Sequence, residues 1–257
     1  MKKLVPLLAL IFGAVPFLAV GQSEGVGPYL GATSGINMTW IIIDNELQDN
    51  EHHEAQPTFG PAPIGLALGY KFNDKNSVQL EGYLSKQGNK FDLLNSDRAV
   101  VGKKEIDLSY FAVPLLFKLS GTGTTRFNLH FGPQISFLIK GEEVNTFTQE
   151  VVVTNNHKSN NGKTIAPGSY TLAKLEPDTP EMTKFNGISP SLLLGLGVEH
   201  DLSPQWYLSA NLRFNYGFTN IDDDEVLDRE NDLDKYTLRY NVFGGLQIGL
   251  HYFFQEP

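Results

Sequence analysis

A long alternation of apolar and polar residues, from Trp206 to Phe218, constrains the fold of this chain more than any other feature. All seven even-numbered positions are apolar, and the odd-numbered positions between them are mostly polar or small. A period of two is typical of a β-strand with one apolar and one polar face. The stretch is about twice as long as an average strand, about 5–6 residues. The pattern returns at Val242 to Phe254, which predicts lipid-facing strands of a transmembrane barrel.

The first residues have the pattern of a secretory signal peptide. A basic start is followed by an apolar run from Leu4 to Val20 that two prolines interrupt, and small residues flank a cleavage point after Gly21. A membrane-spanning helix would need about 20 uninterrupted apolar residues. We therefore expect a cleaved signal peptide over residues 1–21 and an outer-membrane barrel domain over residues 22–257.

Eight alternating segments can be placed on the mature chain, and the connections between them alternate between short and long. The predicted fold is all-β, an eight-stranded antiparallel up-and-down transmembrane β-barrel with three short turns at one end and four longer loops at the other. The segments cover residues 26–40, 60–72, 78–85, 105–119, 127–140, 185–200, 206–218 and 242–254. A medium loop is expected over residues 92–104.

Aromatic residues near the ends of these segments predict two interfacial girdles. The expected girdle residues are Tyr29, Trp40, Tyr70, Phe72, Phe127, Trp206, Phe218, Tyr240, Tyr252 and Phe254. The alternative is a soluble lipocalin-like barrel, whose apolar side chains would point inward to a ligand. The signal peptide and the strand length favour the membrane barrel. The polar face favours it too, because it holds mainly small uncharged residues, whereas the exterior of a soluble barrel would be charged.

Composition excludes several classes of site. The chain has no cysteine, so it has no disulfide, thiolate metal site or cysteine nucleophile. Its formal net charge of −9 argues against nucleic-acid binding. We expect outer-membrane lipid and lipopolysaccharide as surroundings, membrane or secretion proteins as candidate partners, and no cofactor or metal.

The polar face of the strands predicts a packed polar lumen, because eight strands leave just enough space for side chains. Glu81 and Arg213 are the expected ion pair, since a buried charge must be paired. The predicted lumen cluster contains Glu81, His130, Gln134, Asn211, Arg213, Gln247 and His251. The alternative is a gated path for a small solute or a proton.

The long loops carry two weaker candidates for a site. An acidic segment could bind a cation through its carboxylates, although it lacks the glycine of a calcium loop; its candidate ligands are Asp222, Asp223, Asp224 and Asp228. The pair His52-His53 lies beside glutamates and is expected to be solvent-exposed. In the longest connection, residues 151–153 and 170–172 are expected to form a small hairpin.

The fourth and fifth segments carry a short motif on either side of their connecting turn: Tyr110, Pro114, Leu115, Leu116, Lys118, Gly132 and Pro133. This motif resembles that of the PorT-like outer-membrane β-barrel family of Bacteroidetes-type bacteria. In that family a tyrosine precedes Pro-Leu-Leu and a basic residue, and the next strand contains Gly-Pro. The resemblance implies an eight-stranded barrel in the outer membrane, and some family members are associated with type IX secretion.

The sequence thus favours a non-enzymatic barrel with a structural or interaction role through its outer loops. A conducting channel is the second interpretation. An outer-membrane lipid-modifying enzyme is the third interpretation. Two observations count against it: no serine lies in a recognisable nucleophile setting, and the two lumen histidines fall near the short-turn end, away from the outer leaflet.

Overall fold

A computed structural model describes residues 25–43, 52–56, 58–60, 64–95, 97–153, 163–175, 185–222 and 238–254. These residues form thirteen strands. They are β1 (Gly27–Ile43), β2 (His52–Gln56), β3 (Thr58–Gly60), β4 (Gly65–Lys71), β5 (Asn76–Leu94), β6 (Val100–Ser120), β7 (Thr125–Phe147), β8 (Val151–Val153), β9 (Lys163–Ile165), β10 (Gly168–Leu175), β11 (Ile188–Asp201), β12 (Trp206–Gly217) and β13 (Arg239–Phe253). No helix in this part of the chain is long and apolar enough to cross a membrane.

Eight of the strands close into a ring. The order is β1, β4, β5, β6, β7, β11, β12 and β13, and β13 pairs with β1 to complete the barrel. Every pairing is antiparallel, which confirms the predicted architecture. Three tight turns, at residues 72–75, 121–124 and 202–205, lie at the same end as both termini of the barrel, so the longer connections lie at the other end.

The outer surface of the barrel is apolar, as the alternation predicts. Large hydrophobic side chains such as Leu66, Leu212 and Ile248 are more than half exposed on it. Aromatic contacts lie at two levels: Trp206 and Tyr252 near the short turns, and Tyr216 and Tyr240 toward the long loops. Tyr216 lies ten positions after Trp206 on a tilted strand, so the two levels are about 25 Å apart along the barrel axis. This spacing matches the height of the apolar band in outer-membrane barrels.

Tyr29 does not belong to a girdle, and that prediction is wrong. Its side chain is fully buried inside the barrel, where the hydroxyl donates a hydrogen bond of 2.8 Å to Gln79 Oε1. The position has inward parity on β1, so alternation outweighs the preference of tyrosine for an interface.

β5, β6 and β7 continue well beyond the barrel wall. They are 19, 21 and 23 residues long, whereas a transmembrane strand needs about 9–11. The expected loop over residues 92–104 is therefore mostly strand, and only residues 95–99 connect β5 to β6. Beyond the barrel, β2 pairs with β5, and β10 pairs with β7. We call this five-stranded extension, β2-β5-β6-β7-β10, the outer platform.

The expected hairpin in the longest connection is also different. Residues 151–153 pair with residues 163–165, forming β8 and β9, and not with residues 170–172. The latter lie in β10 and pair with β7. The long β7 offers β10 an open edge with unpaired backbone groups, and pairing there extends an existing sheet.

Candidate functional site

The centre of the lumen holds an ion pair between β5 and β12. Arg213 Nη1 and Nη2 donate hydrogen bonds of 2.7 Å and 2.6 Å to the two carboxylate oxygens of Glu81. Both side chains are buried. Gln247 Nε2 on β13 donates to Glu81 at 3.3 Å, and Gln79 Nε2 donates to the same carboxylate. Four donors from two side-chain amides and one guanidinium therefore surround a single carboxylate, which offsets its loss of hydration.

The other predicted lumen residues are all buried but do not join this group. Gln134 accepts a hydrogen bond of 2.7 Å from the Tyr83 hydroxyl. His130 Nδ1 lies 2.9 Å from Asn128 Oδ1, and Asn128 donates to Asn211. His251 Nε2 lies 3.0 Å from Ser209 Oγ. The predicted cluster is thus four separate polar groups along the axis.

A second buried ion network lies nearer the short turns, and the sequence analysis did not identify it. Glu199 on β11 binds Lys118 Nζ at 2.6 Å and Arg126 Nε at 2.9 Å. Arg126 Nη1 also binds Asp201 at 2.6 Å. Lys118 and Glu199 both have inward parity on their strands, so alternation was a sufficient signal for them.

Four rings beside this network fill the lumen near the short-turn end. His251 stacks on Tyr207 with ring centroids 4.5 Å apart and an angle of 9° between the planes. Tyr29 packs edge-on against Tyr207 at 5.9 Å, and both tyrosines form one buried cluster with Phe253. These rings fill the cross-section of a barrel that has little space to spare.

A third ion cluster lies at the long-loop end. Arg239 of β13 binds Asp222 through two nitrogens and Glu143 at 3.3 Å, and Lys104 binds Glu143 at 3.1 Å. Asp222 was a predicted ligand of a cation loop, but it is fully buried and its carboxylate contacts a guanidinium, which argues against that role. The other three candidates, Asp223, Asp224 and Asp228, lie outside the described residues.

Glu143 was missed because the fifth segment was expected to end at residue 140, whereas β7 continues to Phe147 and contains a bulge before Glu143. Tyr110 pairs with Leu138 and Ser109 pairs with Lys140, so Ile139 is an extra residue on β7. An extra residue reverses the inward parity of everything that follows it. Glu143 therefore points inward although the alternation before the bulge would place it outside.

An apolar cluster fills the lumen beneath the long loops, and we call it the interior plug. Its buried members are Ile41, Phe91, Ile106, Leu108, Tyr110, Phe185 and Ile221. Phe185 and Ile221 come from the connections and not from barrel strands, and the backbone of Phe185 bridges to Asp222. Ile106, Leu108 and Tyr110 alternate along β6 and share the face that points into the lumen.

The residues of the family-like motif form the β6–β7 hairpin. Leu115 faces outward, whereas Leu116 and Lys118 are buried in the lumen. Tyr110 accepts a hydrogen bond of 3.1 Å from Asn241 Nδ2. A Cβ atom at Gly132 would lie 1.9 Å from the Leu115 carbonyl oxygen, so only glycine fits beside β6 there. Pro114 and Pro133 occupy the same two strands.

The described residues contain no candidate metal site. Within the described ranges, no three histidine, aspartate or glutamate side chains are arranged to hold a metal ion. His52 and His53 lie in β2. Their side chains fall outside what the structure describes.

These features define the class: a closed β-barrel with an apolar exterior, aromatic girdles and a lumen filled by side chains. The chain belongs to the outer membrane protein beta-barrel domain family, whose model matches residues 22–223. The protein is therefore an integral outer-membrane β-barrel protein.

Solved structures of outer-membrane proteins have similar folds at low sequence identity. OprG from Pseudomonas aeruginosa is 11% identical, over 91% of this chain and 99% of that chain, with a TM-score of 0.44. Neisserial surface protein A is 12% identical over 90% and 100%, with a TM-score of 0.42. Ail of Yersinia pestis is 12% identical over 89% and 99%, with a TM-score of 0.36. No curated protein matches the sequence.

Proposed function

We propose that this protein is a plugged outer-membrane barrel that presents its outer platform to other molecules at the cell surface. The observation that carries the proposal is the change in character along β5, β6 and β7. Below the change their outward side chains are apolar, as at Leu84 and Phe117; above it they are charged, as at Lys90 and Glu105, which form an exposed ion pair of 2.9 Å. The charged surface suits water and not lipid.

The inward face of the platform supports the same role. Phe91, Ile106 and Leu108 are buried in the interior plug, so the strands that project beyond the barrel have an apolar core of their own. A core of this kind holds the outward charges in fixed positions, as a binding surface requires. The proposed partners of this surface are lipopolysaccharide and membrane or secretion proteins. The proposed role is non-enzymatic and similar to that of PorT-like proteins.

Site-specific photocrosslinking in cells tests the interaction role. A photoreactive amino acid in place of Asp107, which is exposed on the platform, should form defined adducts with lipopolysaccharide or protein. The photoreactive amino acid in place of Leu115, which faces outward on β6 nearer the short turns, should form adducts with lipid only. Identical adduct patterns at the two positions would contradict the proposal.

A small-solute or proton channel is the second candidate. It is favoured by His130 Nε2 and Gln247 Oε1, which are buried without a hydrogen-bond partner among the described residues. Unpaired buried polar atoms are the groups to which a water in the lumen would bind. Planar-bilayer recordings of the full chain separate the two functions: a plugged barrel gives no discrete conductance steps, whereas reproducible steps of one size support a channel.

A further inference from the structure

A cavity of about 860 Å³ opens at the short-turn end of the barrel, opposite the outer platform. Its size is within the range of small-ligand sites, about 300–1,000 Å³. Short turns of outer-membrane barrels face the periplasm. We call this cavity the periplasmic vestibule; Lys71, Asp74, Arg126, Asp201, Tyr207 and Phe253 are among its lining residues.

Lys71, the last residue of β4, lies in the wall of the vestibule with its charge only partly hydrated. Its Nζ atom lies 5.2 Å from the ring centroids of both Tyr207 and Phe253. Among the described residues, no carboxylate forms an ion pair with it. An ammonium group held over aromatic rings is available to an incoming anion.

Arg126 adds a second positive charge to the same wall. Its side chain is buried, and its Cζ atom lies 5.7 Å from the centroid of the Tyr207 ring that Lys71 also faces. Nε and Nη1 are used by Glu199 and Asp201, and Nη2 is buried with no acceptor among the described residues. The guanidinium therefore acts on the vestibule through its charge and not through a direct hydrogen bond.

We propose that the periplasmic vestibule binds the carboxylate of an acidic peptide side chain, held by Lys71 Nζ beside the ring of Tyr207 and attracted by the positive charge of Arg126. A singly charged group suits the site because Asp74 and Asp201 also line it. Their negative charges oppose a dianion such as phosphate more strongly than they oppose a monoanion. The breadth of the cavity leaves room for peptide backbone around the carboxylate.

NMR titration of the ¹⁵N-labelled full chain in detergent micelles tests this site. The probe is acetyl-Gly-Glu-Gly-amide, and its neutral control is acetyl-Gly-Gln-Gly-amide. The Glu peptide should give saturable shifts of the Arg126 Nε–H and Gly123 amide signals, and the Gln peptide should not. Equal shifts with both peptides would overturn the proposal.

Three variants assign the binding to Lys71. Lys71→Met should weaken binding about tenfold or more, as expected for a lost charged hydrogen bond. Lys75→Met removes the same charge from the neighbouring turn outside the vestibule and should change affinity less than about twofold. Lys71→Arg keeps the charge and should retain binding. Unchanged affinity in Lys71→Met would overturn the proposal, as would inorganic phosphate binding more tightly than the Glu peptide.

Discussion

Arg213 reaches across the lumen from β12 to both carboxylate oxygens of Glu81 on β5. Inside a narrow barrel this arrangement replaces the water that each charge would otherwise bind. Removing one charged side chain of such a pair leaves the other charge unpaired in a poorly hydrated space, whereas removing both charges does not. The same logic applies to Glu199, which contacts both Lys118 and Arg126.

Arg213→Ala should lower the free energy of unfolding by about 3–5 kcal/mol, because Glu81 is left buried and unpaired. The double variant Arg213→Ala, Glu81→Gln should recover part of that loss. The measurement is the temperature at which the compact, fast-migrating form is lost on a detergent gel. Equal losses in the single and double variants would contradict the importance of the pair.

Glycines of the lumen face are matched to the large rings opposite them. A Cβ atom at Gly69 would lie 2.0 Å from Cζ of Tyr29, so the tyrosine ring lies where a side chain would be. Gly69→Ala should cost about 1–3 kcal/mol through overpacking. Gly187→Ala, where a Cβ would meet nothing within 4 Å, is the matched control. The same gel assay compares them, and equal melting temperatures would show that Tyr29 can move aside.

At the scale of elements, the strands serve two environments in succession. The lower parts of β5, β6 and β7 belong to the barrel, and their upper parts pair with β2 and β10 to form the outer platform. The bulge at Ile139 marks the change on β7. The interior plug fills the space between the two parts and includes residues from the connections, so it couples the loops to the barrel.

Phe185→Ala should remove a fully buried ring from the plug and cost about 3–5 kcal/mol there. We expect faster proteolysis of the platform strands, with the barrel still resistant and heat-modifiable, because most barrel pairings lie below the plug. Phe59→Ala, at a side chain that is 70% exposed, is the control. If both variants resist protease as the wild type does, Phe185 does not hold the platform in place.

The two ends of the barrel differ, which gives the molecule a defined orientation across the membrane. Its short turns, its termini and the vestibule lie at one end; the platform lies at the other. Outer-membrane barrels place short turns in the periplasm. The protein therefore offers one surface to the cell exterior and a separate cavity to the periplasm, joined by a lumen that side chains occupy.

The absence of native cysteine makes this direction easy to measure. Lys103→Cys, exposed on the platform, should react with a membrane-impermeant maleimide on intact cells. Thr122→Cys, exposed in a short turn, should react only after the outer membrane is permeabilised. Labelling of Thr122→Cys in intact cells, with Lys103→Cys protected, would reverse the orientation.

Alternation along the sequence predicts the barrel, its eight strands and the inward direction of residues such as Glu81 and Arg213. The reason is local: in an extended chain, alternation decides which face a side chain occupies. Turn residues and loop lengths then decided which strands are neighbours. The outward apolar surface and most of the girdle positions follow from the same rule.

Which inward residues contact one another depends on how the strands are placed in the closed barrel. Glu199 contacts Lys118 across 81 positions of sequence, and Arg239 contacts Glu143 across 96. Such pairs depend on strand register, and the bulge at Ile139 changed the register without a clear sign in the sequence. The interior plug could not be predicted from the sequence for a related reason. Apolar residues on both faces of β6 look alike in a sequence, and only the closed barrel separates lipid from lumen.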